Sequence, residues 1–324
     1  MIEGKELVSV IIPAYNGEKV IGDCLDSLKS QDFKGGKEII VVDDGSRDRT
    51  AEIARERGVV VLNQENKGPA AARNLGLRRA MGEIVLFTDA DCIPEKNWIT
   101  EMVRPFEDKE VGGVQGIYRT KQSLLVARFG QIEIEDRYRR MGRRDSIDFI
   151  GTYSAGYRKS EIGKGFDEGF RAASGEDAEL SYRISREKRL VFNPSAIVFH
   201  RHPESLGKYL RTKFYRAYWR MPVYKKHSKK MVADAYTPQS LKFQIGMLYL
   251  IIVSIVLAAL WHQAIWLAGF FYVLFALSMI PFIGFALKRD KKVGIASIGI
   301  LHLRAVVFGG GIIAGLTRGK GRLE

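Results

Sequence analysis

Cysteine is scarce: Cys24 and Cys92 are the only two in 324 residues, with no CxxC spacing and no histidine cluster nearby. That pattern excludes a disulfide framework and a structural zinc site, and leaves two small buried or half-buried thiols. Nor is a secretory signal expected, because the apolar run of MIEGKELVSVIIPAYN is short and follows mixed charges. The first domain is therefore expected in the cytoplasm. No Gly-x-Gly-x-x-Gly turn follows a strand, and PAYNGEKV does not substitute for one, which argues against a dinucleotide-dependent oxidoreductase. Internal repeats and low-complexity segments are absent as well.

The most informative absence is charge. From Phe243 to Leu287 there are 45 consecutive residues without Asp, Glu, Lys or Arg. A single helix of that length would reach about 68 Å, and a bilayer core is only about 30 Å thick, so the run must fold back as a two-span hairpin. The break falls near His262-Gln263. Lys225, Lys226, Lys229, Lys230 and Lys242 precede the run and KRDKK (288–292) follows it, which places both outer ends on the cytoplasmic side. A further apolar segment, 293–316, has Arg304 as its only full charge and is read as a third span, with a re-entrant or in-plane helix as the alternative that would keep the basic tail inside. Gly311 and Gly315 within it form a small-xxx-small pair expected to pack on the preceding hairpin. Arg304 would face the protein interior or an anionic ligand.

Net charge is +14, from 51 basic and 37 acidic residues. Such an excess suits nucleic acid, anionic lipid or phosphorylated substrates. Its distribution decides between them. Residues 201–230 hold ten Lys or Arg against Glu204, a local balance of +9. Leu206, Tyr209, Leu210, Phe214, Tyr218 and Met221 recur there at helical spacing. A basic amphipathic helix beside apolar spans fits the lipid surface, so anionic lipid is the nearer partner and nucleic acid is not expected.

The first 120 residues alternate strand and helix patterns, which predicts a mostly parallel sheet with helices on both faces. Ligands of such sheets bind beyond the carboxyl ends of the strands. PAYN (13–16), DDGS (43–46) and DAD (89–91) each end an apolar strand. On its own DAD also fits a solvated loop, but two nearby carboxylates are equally what a hard divalent cation takes, together with substrate phosphates.

The set SVIIPAYN (9–16), VVDDGS (41–46), GPAAARNLG (68–76), DAD (89–91), GFDE (165–168) and GED (175–177) resembles glycosyltransferase family 2. The resemblance implies an α/β GT-A nucleotide-sugar-binding domain over 1–200 with a mostly parallel mixed sheet. Basic amphipathic interface helices (201–242) and a small α-helical transmembrane domain (243–316) would follow it. It implies an inverting transferase that binds its donor through Pro13, Tyr15, Asp43, Asp44, Arg73, Asp89, Ala90 and Asp91. In that resemblance Asp44 accepts from the nucleotide base while Asp43 orients the loop or the ribose. Asp89 and Asp91, with His200, would hold Mn²⁺ or Mg²⁺ against the donor diphosphate. Asp177 matches the family's catalytic base.

Arg211, Lys213, Arg216 and Arg304 are candidates to meet a lipid-linked acceptor's phosphate. A polyprenyl or dolichyl phosphate carrier in glycan biosynthesis, with GDP-mannose as donor, is the favoured substrate pair. UDP-glucose or UDP-N-acetylglucosamine with a sugar hydroxyl acceptor is the alternative, and a non-catalytic nucleotide-sugar-binding scaffold is the rival from another class. GTYSAGYRK departs from the family's Gly-x-Asn-x-x-x-Arg pattern, and the Gln-x-x-Arg-Trp motif of processive synthases is missing. A long polysaccharide product is therefore not expected.

Overall fold

The structure is a computed structural model that describes residues 7–170, 175–232 and 237–317. Two compact units emerge. Among the described residues, one comprises 7–121 and 140–201, and the other 122–139 and 202–317. The division thus differs from a boundary at 200, since residues 122–139 group with the later helices.

In the first unit the chain runs β1 (Leu7–Ala14), α1 (Ile21–Lys29), β2 (Gly36–Asp43), α2 (Thr50–Glu56), β3 (Val60–Asn63), α3 (Pro69–Arg79) and β4 (Ile84–Thr88). A two-residue β5 (Ile93–Pro94), α4 (Trp98–Val103) and β6 (Val111–Arg119) follow. After α5 (Leu125–Met141) come β7 (Ser154–Arg158), α6 (Lys159–Ile162), α7 (Glu176–Ile184) and β8 (Arg189–Phe199). The eight strands form one sheet in the order β3-β2-β1-β4-β7-β6-β8-β5.

The β3-β2-β1-β4 half is wholly parallel, in keeping with the β-branched, buried runs of β1, β2 and β4. β7 runs antiparallel between β4 and β6, and makes the sheet mixed. LVFN and AIVFH, which look like two short strands, are one strand, β8, passing through Pro194. The register against β6 shifts between Gln115 and Ile117, and this irregularity lets the ladder tolerate a residue with no N–H.

Two local features bring the functional edge together. α1 buries Ile21, Cys24, Leu25 and Leu28, one face at i, i+3, i+4 and i+7 spacing. α3 starts with Pro69 at its first position and lies very close to the sheet, because a Cβ at Gly76 would stand 2.5 Å from Ile11 Cγ2. That closeness buries Arg73, one turn earlier on the same helix.

The second unit is helical: α8 (Leu206–Lys226), α9 (Ser228–Val232), α10 (Gln239–Ala258), α11 (Ala264–Leu277), α12 (Ile280–Leu287) and α13 (Lys291–Thr317), joined by most of α5. Its core gathers Phe129, Ile132, Tyr209, Phe275, Met279, Phe285 and Leu301. Three helical segments, 239–258, 264–287 and 291–317, are long and apolar enough to cross a membrane. Their outer faces carry Ile252, Val256, Trp266, Phe270, Ile280 and Ile295, all exposed.

Gly311 and Gly315 do not pack on the hairpin, as the small-xxx-small reading expected. A Cβ at Gly311 would lie 2.4 Å from Phe214 O and one at Gly315 2.6 Å from Tyr218 O, so α13 uses both to approach α8. Gly309 does stand beside the hairpin, where Tyr249 of α10 donates to its carbonyl at 2.9 Å. The basic tail after Thr317 lies outside the described residues.

Candidate active site

The carboxyl ends of β1, β2 and β4 lie side by side, because β1 pairs with both of the others in parallel register: Ala14 opposite Asp43, Ile11 opposite Phe87. Pro13, Tyr15, Asp43, Asp44 and Asp89 to Asp91 therefore share one edge. Tyr15 presents an exposed ring there. The loop carrying it is fixed by a reciprocal set of bonds: Asn16 N–H donates to Ser46 Oγ at 2.9 Å, Arg47 N–H to Asn16 Oδ1 at 2.9 Å, and Gly17 N–H to Thr50 Oγ1 at 2.7 Å.

The two neighbouring aspartates are not equivalent. Asp44 accepts from Gln64 Nε2 at 2.7 Å, Lys67 N–H at 2.9 Å and Gly68 N–H at 2.9 Å, so most of its carboxylate capacity is used to hold the loop that starts α3. Asp43 is equally buried, yet its Oδ1 has no hydrogen-bond partner among the described residues. An orphan buried acceptor of this kind calls for a ligand or an ordered water. The resemblance gives the base contact to Asp44 and the loop or the ribose to Asp43; among the described residues it is Asp44 that holds the loop, while Asp43 keeps an open acceptor.

β5 explains how His200 reaches the site. Ile93 pairs with Phe199 in antiparallel register, and this sets the next residue of β8's end beside the DAD turn. His200 Nε2 stands 3.3 Å from Asp91 Oδ2, and its ring lies 5.2 Å from that of Tyr118. His202, two residues on, is in the other unit, bonded to Gln131 at 3.0 Å. Burial would raise the Asp91 carboxyl, but the His200 contact holds it below its ordinary value. Asp89 is pushed up by burial and by Asp91, with Arg73 opposing.

Arg73 is no surface charge: only 3% of its side chain is exposed. Its Nη1 donates to Glu176 Oε1 at 2.8 Å and its Nη2 to Asp89 Oδ1 at 3.2 Å, while the Phe166 ring lies 5.6 Å from the guanidinium. Asp177, next to Glu176 in the first turn of α7, is half-buried and takes its own helix's Ala178 N–H at 2.7 Å. Burial and the charge of Asp177 raise Glu176 well above the usual carboxylate range, against the pull of Arg73. The neighbouring Asn74 donates to Phe166 O at 2.9 Å and accepts from Phe166 N–H at 2.8 Å, and so docks the GFDE segment on α3.

The donor set fits a hard divalent cation. Ligand atoms of Asp89, Asp91 and Cys92 lie within 4.8 Å of one another, and His200 touches Asp91. Four carboxylates (Asp89, Asp91, Glu176, Asp177) against one guanidinium leave a formal charge of −3 with His200 neutral. Cys92 is the odd member of the set, because a hard cation takes oxygen ligands rather than a soft thiolate; burial and the two aspartates also push its thiol up. Asp89 and Asp91 remain as the oxygen donors that Mn²⁺ or Mg²⁺ accepts, with the His200 imidazole beside Asp91.

Among the acceptor candidates, all in the second unit, Lys213 and Arg304 are buried on one carboxylate. Glu133 of α5 receives Lys213 Nζ at 2.5 Å and Arg304 Nη1 at 3.0 Å, and Arg304 Nη2 donates to Gln244 Oε1 at 3.0 Å. Arg211 is exposed, with its guanidinium 5.8 Å from the Tyr215 ring, and Arg216 is half-buried.

Comparison with known proteins bears on this arrangement. Residues 9–166 match the family model described as glycosyl transferase family 2. A glycosyltransferase of Streptococcus pneumoniae serotype 4, GlyG, is 39% identical over 119 residues, which cover 35% of this chain and 39% of that protein. A pre-mycofactocin glycosyltransferase of Mycobacterium tuberculosis is 28% identical over 236 residues, 69% of this chain and 48% of that protein. The chain thus spans about two fifths of the length of the first curated relatives, 39% and 38%. Among solved structures, a mannosyltransferase from Pyrobaculum calidifontis, PcManGT, in complex with GDP-Man and Mn²⁺, superposes with a TM-score of 0.62. That match covers 97% of this chain and 88% of that one at 18% identity, and shows a common GT-A type fold.

Proposed function

We propose that the protein is a metal-dependent, inverting glycosyltransferase, a reading supported by the match of residues 9–166 to the glycosyl transferase family 2 model. It moves a single hexose from a nucleotide sugar to a lipid-linked acceptor at a membrane. The observation that carries this reading is the convergence of three strand ends and two distant segments on one edge: Tyr15, Asp43, Asp89–Asp91, Glu176–Asp177 and His200.

Each residue has a task that its surroundings support. The exposed Tyr15 ring stacks on the base, and the orphan Oδ1 of Asp43 accepts from a base or ribose donor. Asp89, Asp91 and His200 hold the cation, with Ala90 as the spacer between the two aspartates. When bound, a divalent cation supplies Lewis-acid stabilisation to the departing diphosphate. Asp177 takes the proton of an acceptor hydroxyl as that oxygen attacks. A phosphate acceptor arrives already anionic and needs no such base.

The membrane reading draws on the three apolar segments, their exposed faces and the flanking lysines, which favour an N-terminal domain on the cytoplasmic face of the cell membrane. Since Glu133 engages Lys213 and Arg304, the exposed Arg211 becomes the first group to test against a lipid phosphate. GDP-mannose is the first donor to try, followed by UDP-glucose and UDP-N-acetylglucosamine. The test is nucleotide release by the detergent-solubilised full chain with Mn²⁺, for each donor with and without polyprenyl phosphate. Release that requires the lipid phosphate supports the reading. Release from no donor under any of these conditions overturns it.

A further inference from the structure

Arg73 is one guanidinium shared by two carboxylates from opposite parts of the chain. Its two terminal nitrogens go to different partners, one to Asp89 at 3.2 Å and one to Glu176 at 2.8 Å, and these partners differ in exposure. The Glu176 side chain is 3% exposed, whereas Asp89 is 34% exposed. The Arg73–Glu176 contact is thus a closed internal pair, and the Arg73–Asp89 contact lies at the border of the open site. The Phe166 ring, held by Asn74, lies against the guanidinium as an apolar neighbour.

We infer that Arg73 is a positioning residue that competes with the divalent cation for Asp89 and ties cation occupancy to the helix start carrying Asp177. This rests on the cation reading proposed above. The physical basis is that a carboxylate oxygen cannot serve a guanidinium and a metal ion with full strength at once, and the two cations repel each other. An ion at Asp89 and Asp91 weakens the 3.2 Å contact and leaves Arg73 to Glu176. Glu176 is the first residue of α7 and Asp177 the second, so a firmer Arg73–Glu176 pair fixes the segment from which the base projects. Conversely, when Glu176 cannot hold Arg73, the whole fork is available to Asp89, and the ion must displace it. Arg73 thereby sets cation affinity in the direction opposite to an ordinary supporting hydrogen bond, whose loss weakens the metal.

The distinguishing measurement is Mn²⁺ affinity of the purified full chain in detergent without donor, read from the electron paramagnetic resonance signal of free Mn²⁺. Arg73→Gln removes the competitor, and Mn²⁺ should bind about tenfold tighter, on the scale at which partners of metal ligands act. Glu176→Gln keeps the shape but releases Arg73 to Asp89, and Mn²⁺ should bind about tenfold more weakly. Both variants should be slower in transfer. Arg73→Lys, which keeps the charge but cannot fork, covers the case in which the glutamine variant fails to fold. It should give a smaller tightening, and an unchanged or weaker affinity would count against the inference. Shifts of the same sign in Arg73→Gln and Glu176→Gln, or no shift in either, overturn it. The underlying reading fails separately if the wild type takes up no Mn²⁺ that Asp91→Asn abolishes, and the inference falls with it.

Discussion

Replacing Glu133 by glutamine should unfold the helical unit far more readily than its single lost charge suggests. Glu133, Lys213 and Arg304 are 10%, 9% and 4% exposed, and their contacts are 2.5 and 3.0 Å. With an effective dielectric of about 20, each attraction at about 3 Å is worth roughly 5 kcal/mol before the cost of desolvation. That cost offsets most of it, so the intact triad contributes little net stability. Removing the anion is different, because two buried cations then face each other without the carboxylate they share. Breaking a buried pair costs about 3–5 kcal/mol, or a fall in melting temperature of about 10 °C at 2–4 °C per kcal/mol for a domain of this size.

The measurement is thermal unfolding of the full chain in detergent, followed by tryptophan fluorescence. A companion variant separates charge from packing: Glu133→Leu with Lys213→Met and Arg304→Met removes all three ions together and should recover most of the loss. Acid provides a second route. Burial alone would raise the Glu133 carboxyl, but Lys213 and Arg304 hold it far below its ordinary 4.5. A depressed folded value means the contribution is complete above about pH 4.5 and is lost as pH falls below it. The wild type should therefore lose stability steeply in that acid range, and Glu133→Gln should not share that part of the loss. Melting of Glu133→Gln within about 2 °C of wild type, with parallel acid profiles, would refute the reasoning.

Three further outcomes are expected. Asp91→Ala should abolish transfer with the fold intact, and EDTA should do the same to the wild type reversibly; full turnover in EDTA would remove the cation. Asp177→Asn should lower turnover about a hundredfold or more on a sugar-hydroxyl acceptor with donor affinity unchanged, whereas a near-normal rate would point to a phosphate nucleophile. Asp43→Asn should raise the donor KM several-fold at unchanged melting temperature. Asp44→Asn should instead lower the melting temperature by loosening the 64–68 loop; the reverse assignment of effects would restore Asp44 as the base contact.

The sheet was legible because its signal is local. Apolar runs such as VIIP, IIVVDD and IVLFTD alternate with helical spacing, and each ends in polar residues where parallel strands expose their ligand edge. The functional pairings were not legible to the same degree, because they are separations rather than motifs. Arg73 finds Glu176 across 103 positions, and Glu133 finds Lys213 across 80 and Arg304 across 171. In sequence, Glu133 is one more acid on the amphipathic stretch QIEIEDRYRR, and nothing nearby distinguishes a buried counter-ion from a solvated one.

Asp43 and Asp44 show a finer limit. They are adjacent and chemically identical, and only the loop that Asp44 clasps, more than twenty residues downstream, decides which of them is left with an unpaired oxygen. Gly311 and Gly315 show the same limit in helices. A small-xxx-small pair states that a backbone comes close, through the missing Cβ, but not whose backbone it is. The partner proved to be α8, the helix with the strongest basic character, at Phe214 and Tyr218. The same helix binds Glu133 through Lys213 and closes on α13 through these glycines. Its role is therefore set by tertiary partners, and its charges divide accordingly: Lys213 is committed to the fold, and Arg211 is exposed.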